Sequence, residues 1–299
     1  MAAHQFDTVR TMMAEEHLAA VVMTNGSPHG KDCDIARWKE VEWLSGIVDL
    51  TAVAVVTARG GMVWTASHLL QEVRDELGDA GVMVTENAVA GVGDVARWIV
   101  STLNGSSVTE VAANGSCMSK RYVDELIALL RQGGGLTLRS NIDFMGRLSA
   151  QRPSLPSVVE ERRKDNELTT SEKLRRLRRA LIRQSADGQL VVDGSEVAWL
   201  LNLRDHDATG KVLFCGFLLV DSQKATFFVG DGNVDCVVES RLAADGVDVA
   251  SYGDMAKSLR SYLEYNILLD PEQTPYNIYN KVERPIVNLS SPVPLLMNE

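Results

Sequence analysis

Apolar residues follow two different spacings along this chain, and segments with the two spacings alternate. Short, continuous apolar runs predict buried β-strands, because a strand covered on both faces carries apolar side chains at every position. Segments in which apolar residues recur every three or four positions predict helices that cover those strands. In the first half, strands are predicted at 18–23, 51–57, 62–66, 82–85, 108–112 and 137–139, and helices at 6–17, 69–77, 95–103 and 120–132.

Glycine and proline mark the boundaries of this pattern. Gly60 and Gly61 predict the turn of a hairpin between two apolar strands. Pro153 and Pro156 disfavour regular structure, so residues 152–157 are predicted to be a linker. After it the alternation begins again, with strands predicted at 190–192, 212–220, 226–229 and 247–250, and helices at 171–184, 196–201, 237–245 and 255–263.

This organisation predicts two α/β domains, 1–152 and 157–299, each with a mixed β-sheet flanked by helices. The length of 299 residues suits two domains of ordinary size, each with its own core. We find no sequence repeat between the halves, although both are expected to share this architecture.

The stretch 196–207, EVAWLLNLRDHD, is the most informative part of the second half. Val197, Leu200 and Leu201 fall at i, i+3 and i+4, so a short helix would bury them together. Polar residues follow directly, and a packed turn that leads into a polar cluster is typical of a rigid platform that orients side chains. The cluster consists of Asn202, Arg204, His206 and Asp207.

Composition indicates ordinary globular material, with 45% hydrophobic and 23% charged residues. The net charge of −10 argues against nucleic acid or an anionic membrane as a partner for the whole surface. The basic helix at 171–184 is an exception, and we interpret its charged face as solvated. Glu15 and Glu16 interrupt the apolar N-terminus, which argues against a signal peptide, and no apolar run reaches ~18 residues. A cytoplasmic location is therefore expected.

The chain has four widely spaced cysteines without a CxxC pair, and we expect buried, free thiols. They are Cys33, Cys117, Cys215 and Cys236. Asn25-Gly26, Asn104-Gly105 and Asn114-Gly115 predict turns. Each is followed by serine, which completes a glycosylation pattern that should remain unmodified without secretion.

Candidate chemistry within the chain is sparse. The histidines are scattered and show no HExxH or similar spacing, so no metal site is predicted. A GxGxxA motif at 91–96 lies too far from the preceding strand for a dinucleotide fingerprint. His68 follows a strand and is interpreted as structural, because no nucleophile or second ligand stands near it in sequence.

The order of elements around 196–207 resembles the second domain of the cytosolic, three-domain Xaa-Pro aminopeptidases of the creatinase and prolidase superfamily, in which this stretch reads much like DEIAWLLNLRGxD. The positions that match are Glu196, Ala198, Trp199, Leu200, Asn202, Leu203, Arg204 and Asp207. Departures from the family pattern occur at 49–52, at 66–69, at Asp205 and at 211–213.

The resemblance implies two creatinase-like N-terminal domains and a parent enzyme that removes the residue before proline. In that family a C-terminal pita-bread domain holds two divalent metal ions, manganese by expectation, and a bridging hydroxide attacks the peptide bond. Its ligand motifs cannot be placed on this chain, so we expect a non-catalytic region that binds no metal and shapes access for peptides. Its partners would be the missing catalytic domain and the substrate, and a homodimeric parent is compatible with the resemblance.

Asn202, Arg204 and Asp207 are predicted to face that catalytic domain. The alternative is that Arg204 and Asp207 only brace their own turn. Two other functions remain open: a stand-alone interaction module without peptidase activity, and a different pita-bread relative with a non-peptidase role.

Overall fold

The computed structural model describes residues 2–30, 33–78, 81–86, 91–148, 152–156, 158–162, 168–230, 234–261, 266–282 and 286–298. The chain forms two compact units. The first unit contains Met1–Ser27, Ile35–Pro153 and Pro275–Asn277, and the second contains Pro28–Asp34, Ser154–Thr274 and Ile278–Glu299. Ser157 of the predicted linker and residues 262–263 of the last predicted helix lie outside the described residues.

The first unit is built on a six-stranded sheet in the order β4-β3-β2-β1-β5-β6. Its strands are β1 (Ala20–Thr24), β2 (Val53–Thr57), β3 (Gly60–Thr65), β4 (Val82–Glu86), β5 (Glu110–Ala113) and β6 (Thr137–Arg139). Its helices are α1 (Ala2–Glu15), α2 (Glu40–Ser45), α3 (Leu70–Leu77), α4 (Val92–Thr102), α5 (Lys120–Gly134) and α6 (Phe144–Leu148). β1–β2 and β2–β3 pair antiparallel, while the other neighbours are parallel.

The second unit has a six-stranded sheet in the order β10-β9-β8-β7-β11-β12. Its strands are β7 (Gly188–Val191), β8 (Gly216–Asp221), β9 (Ala225–Val229), β10 (Val247–Ser251), β11 (Ile267–Leu268) and β12 (Ile286–Val287). The helices after residue 153 are α7 (Thr170–Arg183), α8 (Gly194–Leu201), α9 (Cys236–Ala244), α10 (Met255–Arg260), α11 (Tyr276–Tyr279) and α12 (Val293–Met297).

The two sheets have the same topology. β7 pairs antiparallel with β8 and parallel with β11, as β1 does with β2 and β5. The strand orders correspond position by position. The prediction that the halves share an α/β architecture with mixed sheets and flanking helices is therefore confirmed.

Each sheet is covered on both faces, which explains the continuous apolar runs. In β1, Ala20 and Val22 belong to one core cluster, while Val21 and Met23 belong to the cluster on the other side. Successive side chains of a strand point to opposite faces, so a strand between two helical layers is apolar throughout.

Several predicted boundaries are wrong for identifiable reasons. The strand predicted at 212–220 begins only at Gly216, because the amide of Leu213 donates to the carbonyl of Asp205 and that of Cys215 to the carbonyl of Pro156. The glycines predicted as a turn belong to β3, and the hairpin turn is at 58–59. Gly61 is needed there, since a Cβ would lie 2.7 Å from the carbonyl oxygen of Val55.

The cysteines are free, but the expectation that all are buried is wrong. Cys117 and Cys215 are buried, Cys33 is half-buried and Cys236 is exposed. Cys236 is the first residue of α9, and that helix buries Val238 and Leu242 instead. Helical periodicity therefore directs the cysteine away from the core.

Candidate functional site

Helix α8 is anchored at its start by Asp193. The Asp193 carboxylate accepts hydrogen bonds from the amides of Ser195 and Glu196, at 3.0 and 3.2 Å, which satisfies groups that a helix N-terminus leaves unpaired. Val197, Leu200 and Leu201 are fully buried, as their spacing predicted. The helix is thus held by packing along its length and by a cap at its first turn.

Asn202 ends this helix in the left-handed conformation, with φ of 54°. Asparagine tolerates this conformation better than most residues other than glycine. Its side-chain oxygen accepts from the ammonium of Lys173, and its amide nitrogen donates to the carbonyl of Leu168 at 2.9 Å. Asn202 therefore joins the end of α8 to the start of α7.

Lys173 is the main partner of this helix end. Its side chain is buried, and its ammonium donates to the carbonyl of Trp199 at 2.8 Å and lies 4.6 Å from the Trp199 ring centroid. Arg241 donates to the carbonyl of Leu201 at 2.9 Å. Two cations thus face the last carbonyls of α8, where the helix dipole favours positive charge.

Arg204 and Asp207 have separate partners. The Arg204 guanidinium lies 3.1 Å from the Glu160 carboxylate, and its backbone amide donates to the carbonyl of Glu160 at 2.8 Å. One Asp207 carboxylate oxygen accepts from the Thr209 hydroxyl and from the amides of Thr209 and Lys211. These contacts lower the pKa of Asp207, the Thr209 hydroxyl contributing most.

The structure therefore does not gather Asn202, Arg204 and Asp207 around one point. Asn202 braces a helix end, Asp207 organises its own turn, and Arg204 pairs with the extended segment 158–162. Both the Arg204 and the Glu160 side chains are about half exposed, at 48% and 45%. The predicted orientation of the three residues toward a catalytic domain stays a prediction.

Arg204 lines an open groove of about 730 Å³ in the second unit. One wall is the segment 158–162, which the backbone holds in place: Val158 donates to Leu213 and Arg162 donates to Asn202. Both charges and apolar side chains border the groove. Its lining residues are Val159, Glu160, Glu161, Arg162, Arg204, Asp235, Val237 and Val238.

A much smaller cavity, of about 20 Å³, lies beside His29 and His206 in the same unit. That space holds about one water molecule and does not admit a peptide. The His29 imidazole is buried, lies 2.8 Å from the Tyr252 hydroxyl, and has a pKa lowered to about 3 by burial, so it is neutral. The His206 imidazole lies 3.4 Å from the Asp205 carboxylate.

Glu196 is a buried acid that sequence reasoning noted only as a motif match. Its carboxylate accepts from the Gln273 amide at 2.7 Å and from the Ser291 hydroxyl at 2.8 Å. Burial, together with the nearby carboxylates of Asp193 and Asp270, raises its pKa to about 7. A glutamate directly before an apolar helical segment reads as a surface residue, so the sequence carries no signal for this burial.

The departures at 49–52 and 66–69 meet at one carboxylate in the first unit. One Asp49 oxygen accepts from the amide and hydroxyl of Thr51, at 2.8 and 2.7 Å. The other accepts from the Thr65 hydroxyl and the Ala66 amide, at 2.8 and 2.9 Å. The hydrogen bonds of the Asp49 carboxylate therefore join the two segments that depart from the family pattern.

Within the described ranges, no three His, Cys, Asp or Glu side chains come together as a metal-ligand set. The described side chains do not fit the dimetal site that the resemblance to the Xaa-Pro aminopeptidases implies. No helix among them is long and apolar enough to cross a bilayer.

The model of the creatinase/prolidase N-terminal domain family matches residues 151–298. Residues 151–298 belong to this family. The creatinase/prolidase N-terminal domain thus contains α8, the groove and the three candidate residues Asn202, Arg204 and Asp207.

Similarity to known proteins extends beyond the creatinase/prolidase N-terminal domain. The chain is 24% identical to Xaa-Pro aminopeptidase 1 of Dictyostelium discoideum, over 98% of this chain and 48% of the relative. It is 26% identical to the probable Xaa-Pro aminopeptidase P of Fusarium vanettenii, over 85% of this chain and 41% of the relative. The chain spans about half the length of these curated relatives or less.

A solved structure has the same fold over almost the whole chain. It is the X-prolyl aminopeptidase of Caenorhabditis elegans, described as a cytosolic enzyme with a di-nuclear active site. The superposition has a TM-score of 0.83 at 20% identity and covers 98% of this chain and 51% of that protein. The creatinase/prolidase N-terminal domain and the unit before it therefore have the fold of an aminopeptidase N-terminal half.

Proposed function

We propose that this chain is the non-catalytic N-terminal region of a cytosolic, metal-dependent Xaa-Pro aminopeptidase. In this proposal it shapes the access of peptides to a C-terminal catalytic domain that removes the residue before proline. The observation that carries the proposal is the coverage: 98% of the chain corresponds to about half of an X-prolyl aminopeptidase at a TM-score of 0.83.

The chemistry is assigned to the other half of the parent enzyme. Two divalent metal ions, manganese by the family resemblance, would supply a Lewis acid and an activated water there. The described residues of this chain do not fit such a site, so we derive no catalytic step from them. Their role is positioning and exclusion.

Arg204 is the residue through which we expect this role to act. It projects beside a helix whose apolar face is buried, so its backbone is fixed, and it lines an open groove. A guanidinium can bind a carboxylate through two parallel hydrogen bonds, which fixes orientation better than a lysine does. Its present partner, Glu160, is on the exposed wall of the same groove, so the pair can rearrange at low cost.

The test compares the full-length enzyme with residues 1–299. We expect the full-length protein, and not residues 1–299, to cleave a proline peptide with manganese present. Arg204→Ala should lower turnover of the full-length enzyme. It should change the melting temperature of residues 1–299 by less than about 3 °C, because an exposed ion pair contributes little.

Arg97→Ala is the matched control. Arg97 is also an exposed arginine paired with one carboxylate, that of Asp94 at 2.7 Å, but it is on α4 in the first unit. Equal losses of activity in both variants, or a parallel loss of stability and activity in Arg204→Ala, would contradict the positioning role. Absence of hydrolysis in the full-length protein would favour an interaction module instead.

A further inference from the structure

The chain contains three Asn-Gly pairs, and their environments differ sharply. In such a pair the backbone nitrogen of glycine can attack the side-chain carbonyl of asparagine, since glycine has no Cβ to hinder the approach. The reaction needs a mobile asparagine side chain, a free glycine amide and room for a five-membered ring. The three pairs can be compared on each of these requirements.

Asn25-Gly26 satisfies none of them. Asn25 is 5% exposed, its oxygen accepts from the amides of Val41 and Glu42, and its nitrogen donates to the carbonyl of Asp49 at 2.7 Å. The amide of Gly26 donates to the Thr24 hydroxyl at 3.3 Å. Hydrogen bonds therefore hold both reacting groups of this pair, and we call such a pair locked.

Asn114-Gly115 is locked in the same way. Asn114 is 3% exposed, its nitrogen donates to the Glu40 carboxyl at 2.8 Å, and its oxygen accepts from the amide of Ser116. The amide of Gly115 donates to the carbonyl of Ser140 at 2.8 Å. A Cβ at Gly115 would lie only 3.0 Å from that carbonyl oxygen, so there is no room to rearrange.

Asn104-Gly105 differs in every respect. It lies in the exposed turn after α4, and both residues are exposed. Across the part of the chain that the structure describes, neither the Asn104 side chain nor the Gly105 amide has a hydrogen-bond partner. Apart from Gly105 and its two chain neighbours, no atom lies within 4 Å of the position that a Cβ of Gly105 would occupy.

From this contrast we propose that Asn104 is a site of spontaneous deamidation and the only one of the three pairs that reacts in the folded protein. The Gly105 nitrogen loses its proton and forms a bond to the Asn104 side-chain carbonyl carbon. The bond from that carbon to the amide nitrogen breaks, and ammonia leaves with the proton. Water then opens the resulting succinimide at either carbonyl, which gives aspartate or isoaspartate without any oxidant or reductant.

The modification has a structural consequence at α4. Its product carries a negative charge just after the C-terminal end of that helix, where the dipole disfavours an anion. Isoaspartate also moves one methylene from the side chain into the backbone of the turn. Aged protein should therefore be chemically and locally structurally heterogeneous at this turn.

The test is peptide mapping of the 299-residue chain after incubation at mildly alkaline pH and physiological temperature. The peptide with Asn104 should acquire aspartate and isoaspartate at least about tenfold faster than those with Asn25 or Asn114, because locked sites react only through rare opening. An isoaspartyl methyltransferase provides an independent readout of the isoaspartate product.

Two controls keep the result interpretable. In concentrated urea the three sites should react at similar rates, since all share the Asn-Gly sequence. Asn104→Gln should remove isoaspartate from this peptide of the folded protein, because its longer side chain would have to close a larger ring. Similar rates at the three sites in the folded chain, or no reaction at Asn104, would overturn the proposal.

Discussion

Glu196 is an acid in the interior of the second unit that accepts hydrogen bonds from two neutral side chains, Gln273 and Ser291. Ser291 in turn accepts from Gln189 at 2.9 Å, and its amide donates to Asp270 at 2.8 Å. The network joins β7, α8, the turn after β11 and the start of α12. The contribution of this network to the free energy of unfolding depends on whether Glu196 holds a proton.

The sign of this dependence follows from the pKa of Glu196. Desolvation, with the carboxylates of Asp193 and Asp270, raises this pKa from 4.5 to about 7. The folded state therefore holds the proton more tightly than the unfolded state does. The stabilisation is fully present below the unfolded pKa and is lost as the pH rises through about 7.

Glu196→Gln should reduce the pH dependence of stability. Glutamine resembles the protonated acid and is neutral at every pH, so the variant should lose less unfolding free energy than the wild type as the pH rises from about 5 to about 7.5. Urea denaturation at each pH measures this. Glu40 in the first unit has the same sign, with a pKa raised to about 8 by burial, so the difference between the two proteins isolates Glu196. An unchanged slope would exclude this role for Glu196.

Residues that form a polar cluster in the sequence were easier to anticipate than buried polar residues. Polarity directly after an apolar helix was enough to single out Asn202, Arg204 and Asp207, although the partners of Asn202 and Arg204 include residues 29 and 44 positions away. Lys173 and Glu196 were not singled out, because a charged residue in a helix is ordinarily on the surface and their buried partners are 26 to 95 positions away in sequence. Such burial is a property of the packed domain and has no local signature.

At the scale of elements, the end of α8 depends on α7. The capping box of α7 is formed by Thr169 and Glu172, which fixes where that helix begins. This start places Lys173 in the first turn, with its ammonium against the carbonyl of Trp199 and the side chain of Asn202. One buried side chain thus couples two helices.

Lys173→Met should destabilise residues 1–299 by about 2 kcal/mol, since it removes the buried ammonium that donates to the Trp199 carbonyl and to the Asn202 side chain. Equilibrium denaturation in urea measures the change. Arg175→Met, on the exposed face of the same helix, should stay within about 0.5 kcal/mol of the wild type. Equal effects of the two substitutions would mean that general loss of charge, rather than the contacts at α8, sets the stability.

Element type followed from the sequence more reliably than element boundaries. The apolar period distinguished helices from strands in both halves. Boundaries failed where backbone groups have distant partners, as at 212–215, whose amides pair with Asp205 and Pro156. Apolar residues there satisfy the pattern of a strand without belonging to the sheet.

At the scale of the whole molecule, we propose that residues 152–157 act as the boundary between two domains. The compact units divide between Pro153 and Ser154, and residues 152–156 have no regular structure. Limited digestion with a protease of broad specificity should cut here first and yield two fragments of similar mass on a denaturing gel. Mass spectrometry of the fragments identifies the site, and a first cut inside α7 would contradict the boundary.

The sequence did not predict the two short segments that belong to the unit of the other half, Pro28–Asp34 and Pro275–Asn277. The contacts of His29 explain why Pro28–Asp34 belongs to the second unit. The His29 ring centroid lies 4.3 Å from that of Phe217, and the His29 carbonyl accepts from the amide of Gly194 at 3.0 Å. Periodicity reports which element a segment forms. It carries no information about which of the two units the segment packs against.

The second segment bears on how the chain folds during synthesis. Asn277 donates to the Ser116 hydroxyl and to the carbonyl of Ser140, both at 3.0 Å, so the first unit lacks these contacts until residue 277 has been made. Synthesis proceeds at roughly 5–20 residues per second, and an N-terminal domain ordinarily folds before the next one is translated. Here the N-terminal unit would wait about ten seconds for Asn277, the donor of these two hydrogen bonds, to leave the ribosome, and both units would reach their final form nearly together.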